Sequence, residues 1–205
     1  MHPLVGVVIS YLVGSIPFAY LAGKAKGIDL REHGSGNLGA TNAVRVLGKR
    51  IGGAVYLADT LKGMLPPLLL PPHITSSRPE LWAIAFGLAA IIGHVKPIFL
   101  LGQGGGKGVA TAGGVFFGLA PIPAIISFLC FAASVAITRY ASVGSMVAAV
   151  VLPVAIYVVD GPTVLFAISC AIGLFVFWMH RGNIGRLRNG TEPKFGQSKQ
   201  GTESA

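Results

Sequence analysis

The chain has 205 residues, of which 53% are hydrophobic and only 11% are charged, and its mean hydropathy is +0.70. Soluble domains carry about 25% charged residues and could not hide so much apolar surface in one core of this size, so the composition predicts an integral membrane protein. The formal net charge of +9 does not indicate nucleic-acid binding, because the basic residues lie between apolar runs. In a membrane protein, basic residues in such places indicate the orientation of the chain in the membrane and proximity to anionic lipids.

Seven apolar runs are candidates for spanning helices, which need about 20 mostly apolar residues. The first run, residues 3–23, has no basic residue before it and several after it. A cleavable signal peptide has the reverse arrangement, so we expect a retained helix. The fourth run is short for a full span, and Pro121 and Pro123 predict a turn after it. The other runs cover residues 51–70, 81–101, 109–120, 122–138, 143–159 and 163–180.

The sequence thus predicts an all-α integral membrane fold with seven transmembrane helices. Nearly all Lys and Arg residues of the connections fall on one side, namely Lys24, Lys26, Arg31, Arg45, Lys49, Arg50, Lys96, Lys107, Arg139 and the cluster in residues 181–199. The other side receives Arg78. The basic side is predicted to be cytoplasmic, with the N-terminus outside and the C-terminus cytoplasmic. We expect residues 1–190 to form a single polytopic domain and residues 191–205 a polar, disordered tail.

Small residues and cysteines within the runs suggest packing roles. Gly114 and Gly118 form a GxxxG pattern in the fourth run, which permits close helix contact. Cys130 and Cys170 show no metal-binding spacing or disulfide framework, so we expect them to be small buried hydrophobic residues.

The first polar segment, residues 34–42, combines glycines with small polar side chains. Its glycines let backbone N–H groups turn toward one point, as in an anion nest. Thr41 or Asn42 is a candidate cap for a short helix, whose N-terminus also favours phosphate. Arg45 is expected in the first turn of that helix, where a guanidinium grips phosphate with two donors. The alternative is an ordinary glycine-rich connection. The candidate residues are Ser35, Gly36, Asn37, Gly39, Thr41, Asn42 and Arg45.

The second segment, residues 104–108, approaches the fourth predicted helix. It is similar to a P-loop, but Leu101 stands where that motif has its first glycine, and Gly108 stands where it has Ser or Thr. We therefore reject a nucleoside-triphosphatase. A glycine-rich approach to a helix N-terminus still suits a phosphate held without Mg²⁺. The candidates are Gly105, Gly106, Lys107 and Gly108, and the alternative is a flexible turn with an interfacial lysine.

Two further polar segments follow on the same side. Ser142 and Ser145 lie at residues 138–145, where a topology-setting Arg139 and a capping Ser142 are the alternative interpretation. His180 and Asn183 are three residues apart after the last run, so a continued helix places them on one face. Positive-inside charge with an interfacial histidine is the alternative.

Three charged or titratable residues are expected to be structural. Asp59 and Lys62 lie within the second run at i, i+3 and are predicted to pair with each other, although intramembrane charges are functional candidates by default. His94 lies near the inner end of the third run, beside Pro97, and is expected to be a satisfied interfacial histidine.

Taken together, the polar segments resemble the acyl-phosphate:glycerol-3-phosphate acyltransferases, the bacterial PlsY family. The matching strings are GSGNLGATN with Arg45, GHVKPIF with GGKGVAT, and HRGNIGRL; a third glycine, Gly104, precedes the usual pair. The resemblance implies transfer of an acyl group from acyl phosphate to the sn-1 hydroxyl of glycerol 3-phosphate, giving lysophosphatidic acid and phosphate. It also implies catalytic roles for Ser35, Arg45, Lys107, Ser142, His180 and Asn183.

The same resemblance implies the remaining substrate contacts and the location. The phosphate-binding set is Gly36, Asn37, Gly39, Thr41, Asn42, Gly105, Gly106, Gly108 and Ser145. We expect no metal, cofactor or nucleic acid, a monomer, and an active site on the cytoplasmic face of the bacterial inner membrane. No histidine has Asp five positions later, so we expect positioning and electrostatic stabilisation rather than a His–Asp dyad.

Two other classes of function are compatible with a membrane protein that carries anion sites. A phosphate or organophosphate transporter is the first, although transporters often carry internal repeats and none is visible here. A non-catalytic membrane scaffold is the second, and it predicts that Lys107 and Arg45 are dispensable.

Overall fold

The structure is a computed structural model that describes residues 1–195, and these residues form an all-α bundle. Short 3₁₀ turns cover Pro71–His73 and Ile98–Leu100. The α-helices of this range are α1 (Pro3–Gly14), α2 (Phe18–Lys24), α3 (Ala40–Leu47), α4 (Lys49–Leu69), α5 (Pro79–Val95), α6 (Val109–Leu119), α7 (Pro121–Thr138), α8 (Ala141–Asp160), α9 (Val164–Met179) and α10 (Arg181–Arg188).

Each of the seven predicted apolar runs is helical, but two of them are broken where proline follows. The first run splits into α1 and α2 at Pro17, and the third run ends at Val95, two residues before Pro97. Proline disfavours helical backbone in the residue before it and cannot donate the next helix hydrogen bond. Both runs are still long and apolar enough to span a membrane, but each is interrupted beside its proline.

Four segments are long and apolar enough to cross a membrane, judged by length and composition within residues 1–195. They are Pro3–Lys24, Pro79–Leu100, Pro121–Thr138 and Ala141–Asp160. A fifth is added if α9 and α10, bent by 53° relative to each other, count as one span. Helix α6 is shorter, with 11 residues, and α4 carries Asp59 and Lys62 in its middle. The count of seven spans thus stays a prediction.

Helices α4 and α6 cross at a very short distance, as the GxxxG pattern predicted. A Cβ atom on Gly114 would overlap the carbonyl oxygen of Thr60, and one on Gly63 would overlap that of Thr111. The backbones can approach this closely because neither contact point has a side chain. This crossing fixes the start of α6 beside α4, and with it the segment that carries Lys107.

The first residues of the predicted tail pack against the bundle instead of extending from it. Glu192 is only 9% exposed, and the backbone N–H of Phe195 donates to the Arg139 carbonyl oxygen at 2.6 Å. Residues 191–195, predicted as the start of a disordered tail, are therefore ordered against the domain predicted for residues 1–190. Glu192 belongs with the bundle because its carboxylate meets three donors there. The prediction of disorder for residues 196–205 lies outside the described residues.

Candidate active site

The four polar segments meet in one cavity of about 430 Å³. Its walls come from the loop before α3, the loop before α6, the start of α8 and the α9–α10 junction. Twelve of the predicted site residues line it, namely Ser35, Asn37, Gly39, Thr41, Asn42, Arg45, Lys107, Gly108, Ser142, Ser145, His180 and Asn183. The four segments, which the sequence analysis expected on the same side of the membrane, thus lie around one cavity. The chemical roles of these residues stay predictions.

Four helices of residues 1–195 begin at the lining of this cavity. Their first residues are Ala40 of α3, Lys49 of α4, Val109 of α6 and Ala141 of α8. Helix N-termini carry free backbone N–H groups and a partial positive charge, and both favour an anion. The backbone alone therefore makes the cavity suitable for phosphate.

Cationic side chains add to this field. Among the described residues, four cations line the cavity (Arg45, Lys49, Lys107 and Arg186) against two carboxylates, Asp59 and Glu192. Asp59 is already paired with Lys62. The surplus positive charge lies in a half-enclosed space where Coulomb interactions are stronger than in bulk water.

The surrounding positive charge affects the pKa of Lys107. Burial first, and then the charges of Arg186 and Arg45, lower the pKa of Lys107 to about 8 against the opposing effect of Glu192. Its ammonium group donates to Oδ1 of Asn183. Nε of Arg45 is buried and has no hydrogen-bond partner among the described residues, so it is free to donate to an anion.

Glu192 ties the third and fourth segments together. Its Oε1 accepts hydrogen bonds from Ser142 Oγ at 2.8 Å and from Asn183 Nδ2 at 2.7 Å. Its Oε2 accepts from Arg186 Nε at 2.7 Å. Burial tends to raise the pKa of Glu192, but the hydrogen bonds from Asn183, Ser142 and Arg186 outweigh it and lower that pKa. The carboxylate thus stays charged and fixes Asn183, which in turn contacts Lys107.

His180 sits at the junction of α9 and α10 with a defined ring orientation. Its Nδ1 lies 2.8 Å from the carbonyl oxygen of Val176. A carbonyl oxygen only accepts, so Nδ1 carries a proton, and Nε2 of the neutral ring keeps its lone pair. The ring is 4% exposed and lines the cavity.

The first segment is organised by Asn42 rather than by a helix cap. Nδ2 of Asn42 donates to the carbonyl oxygens of Leu30 and His33 at 3.1 and 3.0 Å, and its Oδ1 accepts from the Ser35 N–H at 2.8 Å. These bonds occupy the side chain, so Asn42 shapes the loop. Helix α3 starts at Ala40 after Gly39 without a side-chain cap, and Arg45 lies in its last turn. The predicted cap and the first-turn position of Arg45 were wrong.

Three predicted phosphate-binding glycines do not line the cavity. Gly36 packs against the backbone of Arg31, and Gly105 and Gly106 lie on the end of α5 at His94 and Val95. The two glycine-rich segments nevertheless touch, since Asn37 Nδ2 donates to the Gly105 carbonyl oxygen at 3.4 Å. Gly105 and Gly106 shape the backbone that leads to Lys107.

Several lining residues were not identified as site residues from the sequence. Arg186 lies within the fourth segment and could have been found as a cation on the same side as His180. Glu192 lies in the stretch interpreted as a tail. His94, expected at an interface, is instead 6% exposed and lines the cavity together with Asp59.

The opposite wall of the cavity is apolar. Tyr56, Phe128 and Phe131 line it and also line a smaller groove of about 60 Å³ between α4, α6, α7 and α8. The cation-lined cavity therefore adjoins an apolar groove within the helical bundle. This combination fits a molecule with a phosphate at one end and a hydrocarbon chain at the other.

Comparisons with known proteins agree with that reading of the cavity. The glycerol-3-phosphate acyltransferase family model matches residues 4–190. A glycerol-3-phosphate acyltransferase of Geobacter sulfurreducens is 44% identical over 195 residues, covering 95% of this chain and 98% of the relative. Glycerol-3-phosphate acyltransferase 2 of Bacillus cereus is 46% identical over 194 residues, covering 94% of this chain and 95% of the relative.

Solved structures show the same similarity. A crystal structure of PlsY, an integral membrane glycerol 3-phosphate acyltransferase, in its glycerol 3-phosphate form has a TM-score of 0.87 and 38% sequence identity. The match covers 95% of this chain and 96% of that chain. A lysophosphatidic acid form has a TM-score of 0.84.

Proposed function

The chain belongs to the PlsY family of integral membrane glycerol-3-phosphate acyltransferases, and we propose that it takes its acyl group from acyl phosphate and delivers it to the sn-1 hydroxyl. The products are 1-acylglycerol 3-phosphate (lysophosphatidic acid) and inorganic phosphate, and the step is the first acylation of phospholipid synthesis. The observation that carries the proposal is the cavity in which cations and helix N-termini face an apolar groove.

The chemistry of acyl phosphate suits these residues. It is a mixed anhydride, so its carbonyl is already activated and phosphate leaves readily. The hydroxyl oxygen of glycerol 3-phosphate forms a bond to the carbonyl carbon, and the bond from that carbon to the phosphate oxygen breaks. Both substrates carry phosphate, which accounts for a cavity with several separate cations. Arg45, Lys107 and the backbone of the first segment hold the phosphates, and catalysis rests on positioning and electrostatic stabilisation.

The proton of the attacking hydroxyl has two candidate acceptors. One is Nε2 of His180, and the other is the phosphate of a bound substrate. His180 is buried in a cavity lined by four cations among the described residues, and such surroundings disfavour an imidazolium ion. This favours the substrate phosphate, with His180, Ser142 and Asn183 in orienting roles. A His180→Gln variant with near-normal turnover would support this assignment, and a loss of the order of 10³-fold would indicate the histidine as base.

The charge distribution supports the orientation in the membrane. The N-terminal ammonium of Met1 donates to the carbonyl oxygen of His73 at 2.8 Å, so the N-terminus shares one end of the bundle with the sparsely charged α4–α5 connection. The cations of the cavity belong to the other connections. We therefore propose seven crossings, an outer N-terminus, a cytoplasmic C-terminus and a cytoplasmic active site in the bacterial inner membrane. We further propose that a monomer is the working unit.

The test is phosphate release by the purified protein in lipid, with palmitoyl phosphate in the presence and absence of glycerol 3-phosphate. We expect release that requires glycerol 3-phosphate and yields lysophosphatidic acid, and its loss in Lys107→Ala. Parallel reactions with palmitoyl-CoA and palmitoyl-acyl carrier protein test the donor. Faster transfer from either of these thioesters would refute acyl phosphate as the donor while leaving the family's acyltransferase activity intact.

The other classes of function have no support from the relatives, whose names are those of acyltransferases. Counterflow of labelled glycerol 3-phosphate into proteoliposomes without any acyl donor would contradict this conclusion.

A further inference from the structure

A charged cluster lies buried in the helical bundle at the edge of the cavity. Lys62 Nζ is 2.7 Å from Asp59 Oδ1 on α4, as the i, i+3 spacing predicted. His94 on α5 joins them, with Nδ1 at 3.6 Å from the same carboxylate oxygen. The side chains of all three are at most 5% exposed. Asp59 Oδ1 accepts no well-aligned hydrogen bond, so its contact with Lys62 is that of an ion pair.

Lys62 is anchored on its other side as well. Its ammonium donates to the carbonyl oxygen of Ile16 at 2.8 Å and lies 5.5 Å from the ring centroid of Phe18. Ile16 is in the break between α1 and α2, where helix hydrogen bonds are missing. Lys62 therefore holds both Asp59 and the broken first span in place. Charges inside a membrane protein are costly, and well-packed apolar residues often replace buried ion pairs without loss. Stability alone thus does not account for this cluster.

His94 connects the cluster to the glycine-rich segment before α6. The Gly106 N–H donates to the His94 carbonyl oxygen at 3.3 Å. A Cβ atom on Gly106 would overlap Nε2 of the His94 ring, and one on Gly105 would overlap the Val95 carbonyl oxygen. The ring and the glycine backbone are therefore in direct contact, and only glycine fits there. The next residue along the chain is Lys107, whose ammonium reaches Asn183.

The ring orientation decides what His94 can do. Nδ1 of the ring faces Asp59, and Nε2 faces the backbone of Gly106, so the imidazole lies between the carboxylate and the glycine segment. A rigid support is what a site needs, because displacing a substrate-binding group by about 1 Å can cost about 100-fold in rate.

We propose that His94, oriented by the Asp59–Lys62 pair, is a positioning residue that sets the backbone of Gly105 and Gly106 and so places the ammonium of Lys107 for phosphate binding. This inference rests on the proposed function, in which Lys107 holds a substrate phosphate. On this inference, replacing His94 lowers kcat/KM only in protein that still has Lys107.

A double-mutant cycle tests that dependence. We expect His94→Gln to lower kcat/KM about tenfold to 100-fold in protein that still has Lys107. The same change in a Lys107→Ala background is expected to alter kcat/KM less than about twofold, because residues that act as one unit are not additive. The cycle needs a sensitive assay, so radiolabelled glycerol 3-phosphate is the substrate, with palmitoyl phosphate as donor.

Two matched controls exclude a general loss of structure. His73→Gln changes an exposed histidine in the Pro71–His73 turn, and Thr60→Ala changes the residue that follows Asp59 and removes a hydroxyl that donates to the Tyr56 carbonyl oxygen. Both controls are expected to retain kcat/KM within about twofold, since neither contacts the glycine segment. Each variant is first checked for a single peak in size-exclusion chromatography and for its thermal midpoint.

The outcomes separate the two levels of the argument. If the wild type does not acylate glycerol 3-phosphate, the proposed function fails. If the wild type is active and the effects of His94→Gln and Lys107→Ala multiply independently, the positioning role alone is refuted. If His94→Gln is not folded, Asp59→Asn takes its place in the cycle. It keeps the side-chain shape, and it is expected to show the same dependence on Lys107, whereas additivity would again overturn the inference.

Discussion

Lys107 makes the activity depend on pH in a direction that its surroundings determine. Burial and the charges of Arg186 and Arg45 lower its pKa to about 8 from the model-compound value of 10.5. One pH unit below that pKa about 0.9 of the molecules carry the ammonium, and one unit above it about 0.1 do. If the ammonium binds phosphate, kcat/KM in the free enzyme falls about tenfold per pH unit once the pH is well above 8.

The split between kcat and KM follows from the same electrostatics. A bound phosphate dianion stabilises the ammonium and raises the pKa of Lys107 in the complex. We therefore expect KM for the phosphate substrate to rise across this pH range while kcat changes little. The assay is initial-rate lysophosphatidic acid formation at several pH values, with the spontaneous hydrolysis of acyl phosphate subtracted at each.

Two lysine-to-arginine variants identify the residue responsible. Arginine stays protonated over the whole range, so Lys107→Arg is expected to remove the decline whatever its absolute activity. Lys96→Arg changes an exposed lysine and is expected to keep the wild-type profile. A kcat/KM that rises through this range, or a Lys107→Arg profile that still declines, would refute the reasoning.

Three further changes test the architecture. Glu192→Ala leaves buried donors on Ser142 and Asn183 unpaired, so the unfolding free energy measured by chemical denaturation is expected to fall by about 1–3 kcal/mol. Because the pKa of Glu192 is lowered in the fold, the stabilisation by its carboxylate is present above the ordinary glutamate pKa and is lost toward acid pH. A variant whose stability falls toward acid pH just as that of the wild type does would contradict this. Lys62→Met strands a buried carboxylate and is expected to cost about 3–5 kcal/mol, much of it recovered when Asp59→Asn is added; no recovery would contradict the pairing. Gly114→Ala is expected to lower the thermal midpoint, whereas Gly113→Ala, which has open space at its Cβ, is not; equal shifts would contradict the close crossing of α4 and α6.

The features of the fold that depend on neighbouring residues in the sequence could be predicted, and so could most of the residues that line the cavity. Apolar runs and glycine-rich segments gave the helices and the four polar segments, because hydropathy and backbone freedom are properties of neighbouring residues. The breaks at Pro17 and Pro97 were equally local, but high hydropathy on both sides concealed them. The span count stays open because α4 and α6 are held by protein contacts, which relax the demand for length and apolarity that a lipid-facing helix must meet.

The parts of the site that were missed depend on distant contacts. Glu192 accepts a hydrogen bond from Ser142, which is 50 residues away in the sequence, and Lys107 donates one to Asn183, which is 76 residues away. No rule of sequence spacing predicts pairs so far apart. The same limit applies to Asp59 and His94. A search for a His-x4-Asp motif finds nothing, because that motif reports two residues on one local turn, whereas here the carboxylate and the imidazole lie on α4 and α5. The absence of the motif therefore excluded only a local pair. The bundle builds a separate Asp–His contact and uses it, on our proposal, to hold the backbone that carries Lys107.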